Sequence, residues 1–371
     1  MLAIIHAHTT TQVPQENAVV IGGSGYLGKR LVKQLIVDGH YHVHSLDLTI
    51  PPETKRDPSV WSYIQTDITN KQHVMEALRD MDVVFHTASL IPITVDITDD
   101  NLHKINVTGT QNIIEACKVN NIKRLIYTSS SCVVLGKNPN KICENVEESE
   151  SLPDDPLNTY VKTKGIAEKM VLDANNQNGV RTCALRLAGI LGGTDNKLMD
   201  SFMSSCVIQF TGGESKISWI GVDSAVDAHI VADKRLREET STNDYYKGST
   251  PRGGNQIAGR AFNISITDQF KISELFQFFA EENGKLLIVL PLWIVKGLVN
   301  INVYMYKKTG IIPLFAYLSP ACFEFLQTHF TVSTERARKD LGWEEPRPWR
   351  EVIRELIKEY KTESSLLRLK S

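Results

Sequence analysis

Three things are scarce in this 371-residue chain: paired cysteines, long apolar runs and a surplus of either charge. The six cysteines (Cys117, Cys132, Cys143, Cys183, Cys206, Cys322) form no C-x-x-C pair and no metal-ligand spacing. They exclude a disulfide framework or a cysteine metal centre and read as reduced thiols of an intracellular protein. The net charge of −2 gives no electrostatic footprint for nucleic acid. No segment reaches the roughly 18–20 apolar residues of a membrane span. The nearest, residues 286–295, is broken by Pro291 and reads either as a buried helix or as an interfacial one, with Trp293, Lys296, Tyr304, Tyr306, Lys307 and Lys308 around it. Residues 1–16 lack a basic n-region and a full apolar core, so they read as a poorly ordered extension rather than a signal peptide. Internal repeats and low-complexity tracts are absent as well.

What is present is a rhythm. Apolar strand-like runs (Ala18 to Ile21, His42 to Leu46, Val83 to His86, Arg124 to Thr128, Thr182 to Leu187) alternate with helical stretches at 71–79, 99–120 and 157–176. Such alternation predicts an α/β fold with a doubly wound parallel sheet. In such sheets ligands bind beyond the carboxyl ends of the strands. After Gly192 the rhythm breaks, and the acidic segment 144–155 and the polar segment 233–254 read as solvated loops. The expected division is 17–192 for the sheet domain and 193–371 for a smaller C-terminal substrate lobe, some of whose segments return to the sheet domain.

The first strand runs into Gly22-Gly23-Ser24-Gly25-Tyr26-Leu27-Gly28 and then an amphipathic segment. Gly22, Gly25 and Gly28 give G-x-x-G-x-x-G, a turn that lets backbone approach a pyrophosphate at a helix N-terminus. The second strand ends in Asp47, about 20 residues beyond the loop, placed to bind a ribose 2′-hydroxyl. No arginine follows Asp47 directly, so NAD is favoured, with NADP as the alternative.

Tyr160 and Lys164 stand at i and i+4, on one helix face. A phenol is a poor base at neutral pH until a neighbouring ammonium lowers its pKa. A strand ending in hydroxyls, Thr128 to Ser131, could hold a substrate oxygen against that tyrosine. Other constellations fail. A nucleophile elbow needs glycine where Tyr26 stands, and the alternating His40, His42 and His44 have no acid or cysteine cluster to complete a metal site. The five tryptophans fall into no base-stacking pattern.

These motifs together resemble an extended short-chain dehydrogenase/reductase. The matching elements are Gly22, Gly25 and Gly28, Asp47, Asp67-Ile68, Asn106-Val107-Thr108-Gly109-Thr110, Tyr127 to Ser130, and Tyr160 with Lys164. Within that superfamily the chain is similar to the 3β-hydroxysteroid dehydrogenase family, most of all its sterol-4α-carboxylate 3-dehydrogenases (decarboxylating). That likeness rests on residues 221–229, Ala261 to Ile264, Leu290 to Trp293, Thr328 to Phe330 and Ala337 to Trp343. The resemblance implies a Rossmann fold and an NAD(P)-dependent oxidation of a sterol or steroid 3β-hydroxyl. It implies catalytic Ser130 (or Ser131), Tyr160 and Lys164, with Lys164 also a ribose contact. Cofactor contacts are expected at Gly22, Gly25, Tyr26, Leu27, Gly28, Asp47, Asp67, Ile68, Thr87 and Ala88, with His86 beside them. Asn106 is the expected structural support. The chain departs from the family where Arg186-Leu187 replaces Arg-Pro and where Thr163 replaces a serine. A homodimer, peripheral membrane contact through 286–310, and a cytoplasmic or endoplasmic-reticulum-associated location are further expectations. The rival readings are a steroid dehydrogenase/isomerase, a dihydroflavonol-type reductase, a nucleotide-sugar epimerase and a non-catalytic NAD sensor.

Overall fold

The computed structural model describes residues 15–138, 142–150, 152–194, 196–203, 206–209, 214–245, 256–310 and 319–370. Seven parallel strands form the central sheet: β1 (Glu16–Ile21), β2 (Tyr41–Asp47), β3 (Ser62–Gln65), β4 (Val83–His86), β5 (Arg124–Ser130), β6 (Arg181–Leu187) and β7 (Arg260–Ile264). Their spatial order is 3-2-1-4-5-6-7. β1 and β4 are adjacent in space but not in sequence, so the chain's winding reverses between them. The strand ends Ile21 and His86 lie side by side there, the place where doubly wound sheets take ligands.

Local chemistry explains the elements. β1 is apolar on both faces because helices cover both sides, and Ala18, Val19, Val20 and Ile21 are fully buried. The helix Tyr26–Asp38 buries Leu27, Leu31, Val32 and Leu35 and stops at Gly39, whose left-handed backbone suits glycine. The helix Thr159–Asp173 starts where the Asn158 side chain accepts the Val161 N–H at 3.1 Å. Between β4 and β5 the helical stretch holds a π turn, Lys104–Gly109, a feature that accumulates at functional sites.

The expected loop at 233–254 is instead helix up to Tyr245: Val222–Tyr245 is one 24-residue helix, and residues 246–255 lie outside the described ones. Its charge run is not merely solvated. Asp233 is buried and accepts from Arg124 Nε at 2.6 Å, while Arg124 Nη2 reaches Glu16 at 2.6 Å. Glu16 is therefore the first residue of β1 and not part of a loose extension, whose residues 1–14 fall outside the described ones. The acidic segment 144–155 is also corrected. Ile142–Val146 is a strand paired with His329–Val332, and the buried Glu148 carboxylate accepts the Asn263 N–H at 2.7 Å. Backbone pairing and a buried partner outweigh the segment's acidity.

The C-terminal half adds two more parallel pairs, Gly189–Leu191 with Trp219–Gly221 and Cys206–Gln209 with Leu286–Val289. Phe202 stacks on Phe279 with ring centroids 4.3 Å apart, and Phe270 on Trp349 at 4.2 Å. Residues 286–295 are neither one buried helix nor one interfacial helix. Pro291, extended and without an N–H, separates the strand from the helix Leu292–Thr309.

Candidate functional site

The glycine loop leaves β1 and turns into the helix Tyr26–Asp38. Gly22 has φ +86°, and a Cβ there would stand 2.8 Å from the Ala88 nitrogen and 2.9 Å from Thr87 Oγ1. At Gly28 a Cβ would lie 2.0 Å from the Gly22 carbonyl oxygen. Loop, helix and the end of β4 can therefore approach this closely only with bare backbone. Gly25 caps the helix without a side-chain hydrogen bond, which leaves first-turn N–H groups for an anion. Ser24 Oγ is buried there with no hydrogen-bond partner among the described residues. A glycine-walled cradle, an uncapped helix start and an orphaned hydroxyl fit a dinucleotide pyrophosphate.

Of the remaining expected contacts, Asp47, Thr87 and Ala88 border this cradle. Asp47 ends β2 and accepts the Ser24 N–H at 3.0 Å, so its carboxylate faces the loop. Thr87 donates its hydroxyl to the Ile21 carbonyl at 2.8 Å. Leu27 packs into the core, whereas the Tyr26 hydroxyl reaches the Gly192 carbonyl at 2.6 Å and ties the loop to the residue just after the strand Gly189–Leu191. Asp67 accepts the Thr69 N–H at 2.8 Å in its own turn, and the Ile68 carbonyl accepts from Asn112 at 2.9 Å. His86 does not line the crevice. It is fully buried, bonded to Thr110 at 3.0 Å, and burial pushes its pKa down to about 3, with Lys164 adding to the effect.

The hydroxyl strand sorts its serines by role. Ser129 donates to Glu168 at 2.6 Å. Ser131 is buried in the 3₁₀ turn Ser131–Val134. Ser130 lies near enough to Tyr160 for its hydroxyl to lower the phenol's pKa, and its Oγ is 3.0 Å from Cys132 Sγ. Of the two serines left open by the sequence, Ser130 is therefore the one placed against the phenol.

Tyr160 and Lys164 both come from the helix Thr159–Asp173. Lys164 is buried, donates to the Thr128 carbonyl at 2.7 Å and sits over the Tyr127 ring at 4.3 Å. Burial lowers its pKa to about 7, against raising contributions from Cys132 and Glu168. Burial instead raises the Tyr160 phenol, Cys132 adds to that, and the nearby Ser130 hydroxyl opposes it. The expected direct lowering of Tyr160 by Lys164 is not the leading interaction here, because the ammonium is turned onto the Thr128 carbonyl.

Supporting bonds fix this geometry. Asn106, in the π turn, accepts the Leu90 N–H at 2.7 Å and donates to the Leu90 carbonyl at 3.0 Å and to Thr163 at 3.4 Å. It joins the loop after β4 to the helix that carries Tyr160. Thr163 is part of that link, so the threonine substitution keeps a hydroxyl where it is used. Arg186 is bound by Glu168 at 2.8 Å and by the Glu150 carbonyl at 3.2 Å, which anchors the end of β6 without the expected proline. Two further groups escape a reading of motifs alone. His229, from the helix Val222–Tyr245, hydrogen-bonds the Thr128 hydroxyl at 2.7 Å. Cys132 touches Ser130; its only sequence signal is its place two residues past that serine.

A family model described as the 3-beta hydroxysteroid dehydrogenase/isomerase family matches residues 19–274. Short-chain dehydrogenase/reductase family 42E member 1 of Homo sapiens is 37% identical over 243 residues, 61% of this chain and 60% of that protein's length. The chain thus spans less than two thirds of that relative. The 3 beta-hydroxysteroid dehydrogenase/Delta 5-->4-isomerase of Vaccinia virus (strain Ankara) is 29% identical over 87% of this chain and 92% of its own. The 3beta-hydroxysteroid-dehydrogenase/decarboxylase isoform 1 of Arabidopsis thaliana is 27% identical over 91% of this chain and 78% of its own. Among solved structures, MoeE5 in complex with UDP-glucuronic acid and NAD superposes with a TM-score of 0.68 at 19% identity, covering 94% of this chain and 99% of that one. That likeness is one of fold.

Proposed function

The chain belongs to the 3-beta hydroxysteroid dehydrogenase/isomerase family, and on that premise we propose that it oxidises the 3β-hydroxyl of a sterol to the 3-ketone with NAD. The observation that carries this reading is that Ser130, at the end of β5 and two strands from the Gly22 cradle, bears on the Tyr160 phenol, with Lys164 on the same helix as that tyrosine. Gly22, Gly25, Gly28 and Asp47 would hold the cofactor, with Lys164 at its nicotinamide-side ribose. When bound, that cofactor supplies the hydride acceptor.

Tyr160 Oη takes the proton of the substrate hydroxyl as general base. The Ser130 hydroxyl donates to the same substrate oxygen and fixes its approach. Burial raises the phenol pKa, so Tyr160 needs a cation close by to act as a base at neutral pH. Lys164 is the cation on its helix face, and a turn of its Nζ away from the Thr128 carbonyl would bring that charge to bear.

A 4α-carboxylate on the substrate would become a β-keto acid on oxidation. Loss of carbon dioxide then leaves an enolate, whose oxygen Tyr160 and Ser130 are placed to stabilise without a further group. The relative named a dehydrogenase/decarboxylase, matched over 91% of the chain, supports this finer reading, as the dehydrogenase/isomerase matched over 87% supports its rival. The exposed apolar side of the helix Leu292–Thr309 supports a peripheral contact with a membrane such as the endoplasmic reticulum, from which a sterol could be drawn. Among the described residues no helix is long and apolar enough to cross a membrane.

The test is NADH formation with a panel of 3β-hydroxysterols, including a 4α-carboxysterol, and mass detection of the decarboxylated ketone. Tyr160→Phe is expected to cut turnover by about 10²–10⁴-fold while NAD still binds. Full turnover in that variant would remove Tyr160 from the mechanism. A conjugated enone product would point to dehydrogenase/isomerase activity instead.

A further inference from the structure

We propose that Cys132 is a positioning residue: its thiol donates to Ser130 Oγ and thereby aims the serine's own hydrogen at the reacting oxygen. The proposal rests on the reading of Ser130 and Tyr160 as the oxidation site, and it concerns a residue that the motifs do not include. Cys132 lies in the 3₁₀ turn immediately after β5, 4% exposed, with Sγ 3.0 Å from Ser130 Oγ. Ser130's hydroxyl in turn bears on the Tyr160 phenol, which packs against the cluster that holds Cys132. The three polar groups adjoin, and hydrogen bonding would run from Cys132 to Ser130 to Tyr160.

Direction follows from chemistry. A serine hydroxyl has one hydrogen and two lone pairs, and its rotor is free until something fixes it. A thiol is a weak donor and a weak acceptor, so in this pair the better acceptor is the serine oxygen. Burial pushes the Cys132 thiol up to about 11, which keeps it protonated at working pH and available as the donor. With one lone pair engaged by the thiol, Ser130 has its hydrogen left for Tyr160 Oη or for a substrate oxygen. Chained hydrogen bonds polarise one another, so the donation also strengthens the one Ser130 makes.

Two variants test this. In Cys132→Ala the donor is lost at small volume cost, and kcat is expected to fall about tenfold with KM little changed, the worth of one ordinary hydrogen bond. Cys132→Ser restores a donor and should recover most of the rate. A purely structural thiol would leave kcat and its pH profile unmoved in both. An activity-independent readout separates this proposal from the substrate reading: the ¹³Cζ resonance of Tyr160, assigned by its loss in Tyr160→Phe. It should move in Cys132→Ala, move similarly in Ser130→Ala, and return in Cys132→Ser. An unchanged resonance in Cys132→Ala overturns the proposal, whatever the activity. If the resonance moves as expected while the wild-type chain oxidises no sterol, the hydrogen-bond chain stands and the substrate assignment falls.

Discussion

Gly28 shows how little room a single residue can leave. An added methyl would meet the Gly22 carbonyl at 2.0 Å, and that carbonyl belongs to backbone that cannot rotate aside. Gly28→Ala must therefore push the helix start away from the loop. Displacing an anion cradle by about an ångström is expected to weaken NAD binding by roughly 100-fold. Isothermal titration would measure it, and affinity within twofold of the wild type would show that the cradle is not where the cofactor sits. The same scale separates the three serines of β5 and its turn. Their sequence is uniform, but Ser129 is spent on Glu168, and it is Ser130 whose hydroxyl bears on the Tyr160 phenol.

At the scale of elements, the helix Leu292–Thr309 buries Val295, Val299 and Asn302 on one side and leaves Trp293 75%, Ile301 54% and Tyr304 63% exposed on the other. Lys307 and Lys308 close it with positive charge. An apolar stripe with interfacial aromatics and a basic end suits the surface of an anionic bilayer. The chain is expected to float with phosphatidylserine-containing vesicles, and Trp293→Glu to leave it in the soluble fraction. A wild-type chain that stays unbound would dismiss the membrane contact without touching the oxidation site. The helix Val222–Tyr245 is another case of an element with two duties. It delivers His229 to Thr128 near the site and, a turn later, Asp233 to Arg124 beneath the sheet. A buried ion pair of this kind is costly to break from one side, so it fixes where the helix lies more than how stable it is.

Across the whole molecule, buried neutral histidines set a response to acid. Burial lowers His229 to about 4 and His86 to about 3, both below the ordinary value of 6.5. The folded state therefore binds their protons less readily than the unfolded state does. Their stabilising effect is complete above about pH 6.5 and is lost as the pH falls toward 4 and 3. For His229 the shift corresponds to roughly 3 kcal/mol. Thermal melting should decline steeply between about pH 6 and 4. His229→Gln should shorten that decline. A melting temperature unchanged down to pH 4 would contradict the burial of these rings.

The sequence by itself determined the strand–helix alternation, the glycine loop, Asp47 and the Tyr160–Lys164 spacing, because each is written in local periodicity or in a few neighbouring residues. Its helices and strands could be seen wherever one apolar period held. It misjudged residues 233–245 and 144–150, where charge reads as solvent exposure, since Asp233 and Glu148 find their partners 109 and 115 residues away. Only the tertiary structure decided which serine faces the phenol, that Lys164 is turned onto the Thr128 carbonyl, that His86 points into the core, and that Cys132 touches Ser130. Those outcomes depend on how β5, its turn and the helix Thr159–Asp173 pack together, and a contact between elements leaves no local pattern in the chain.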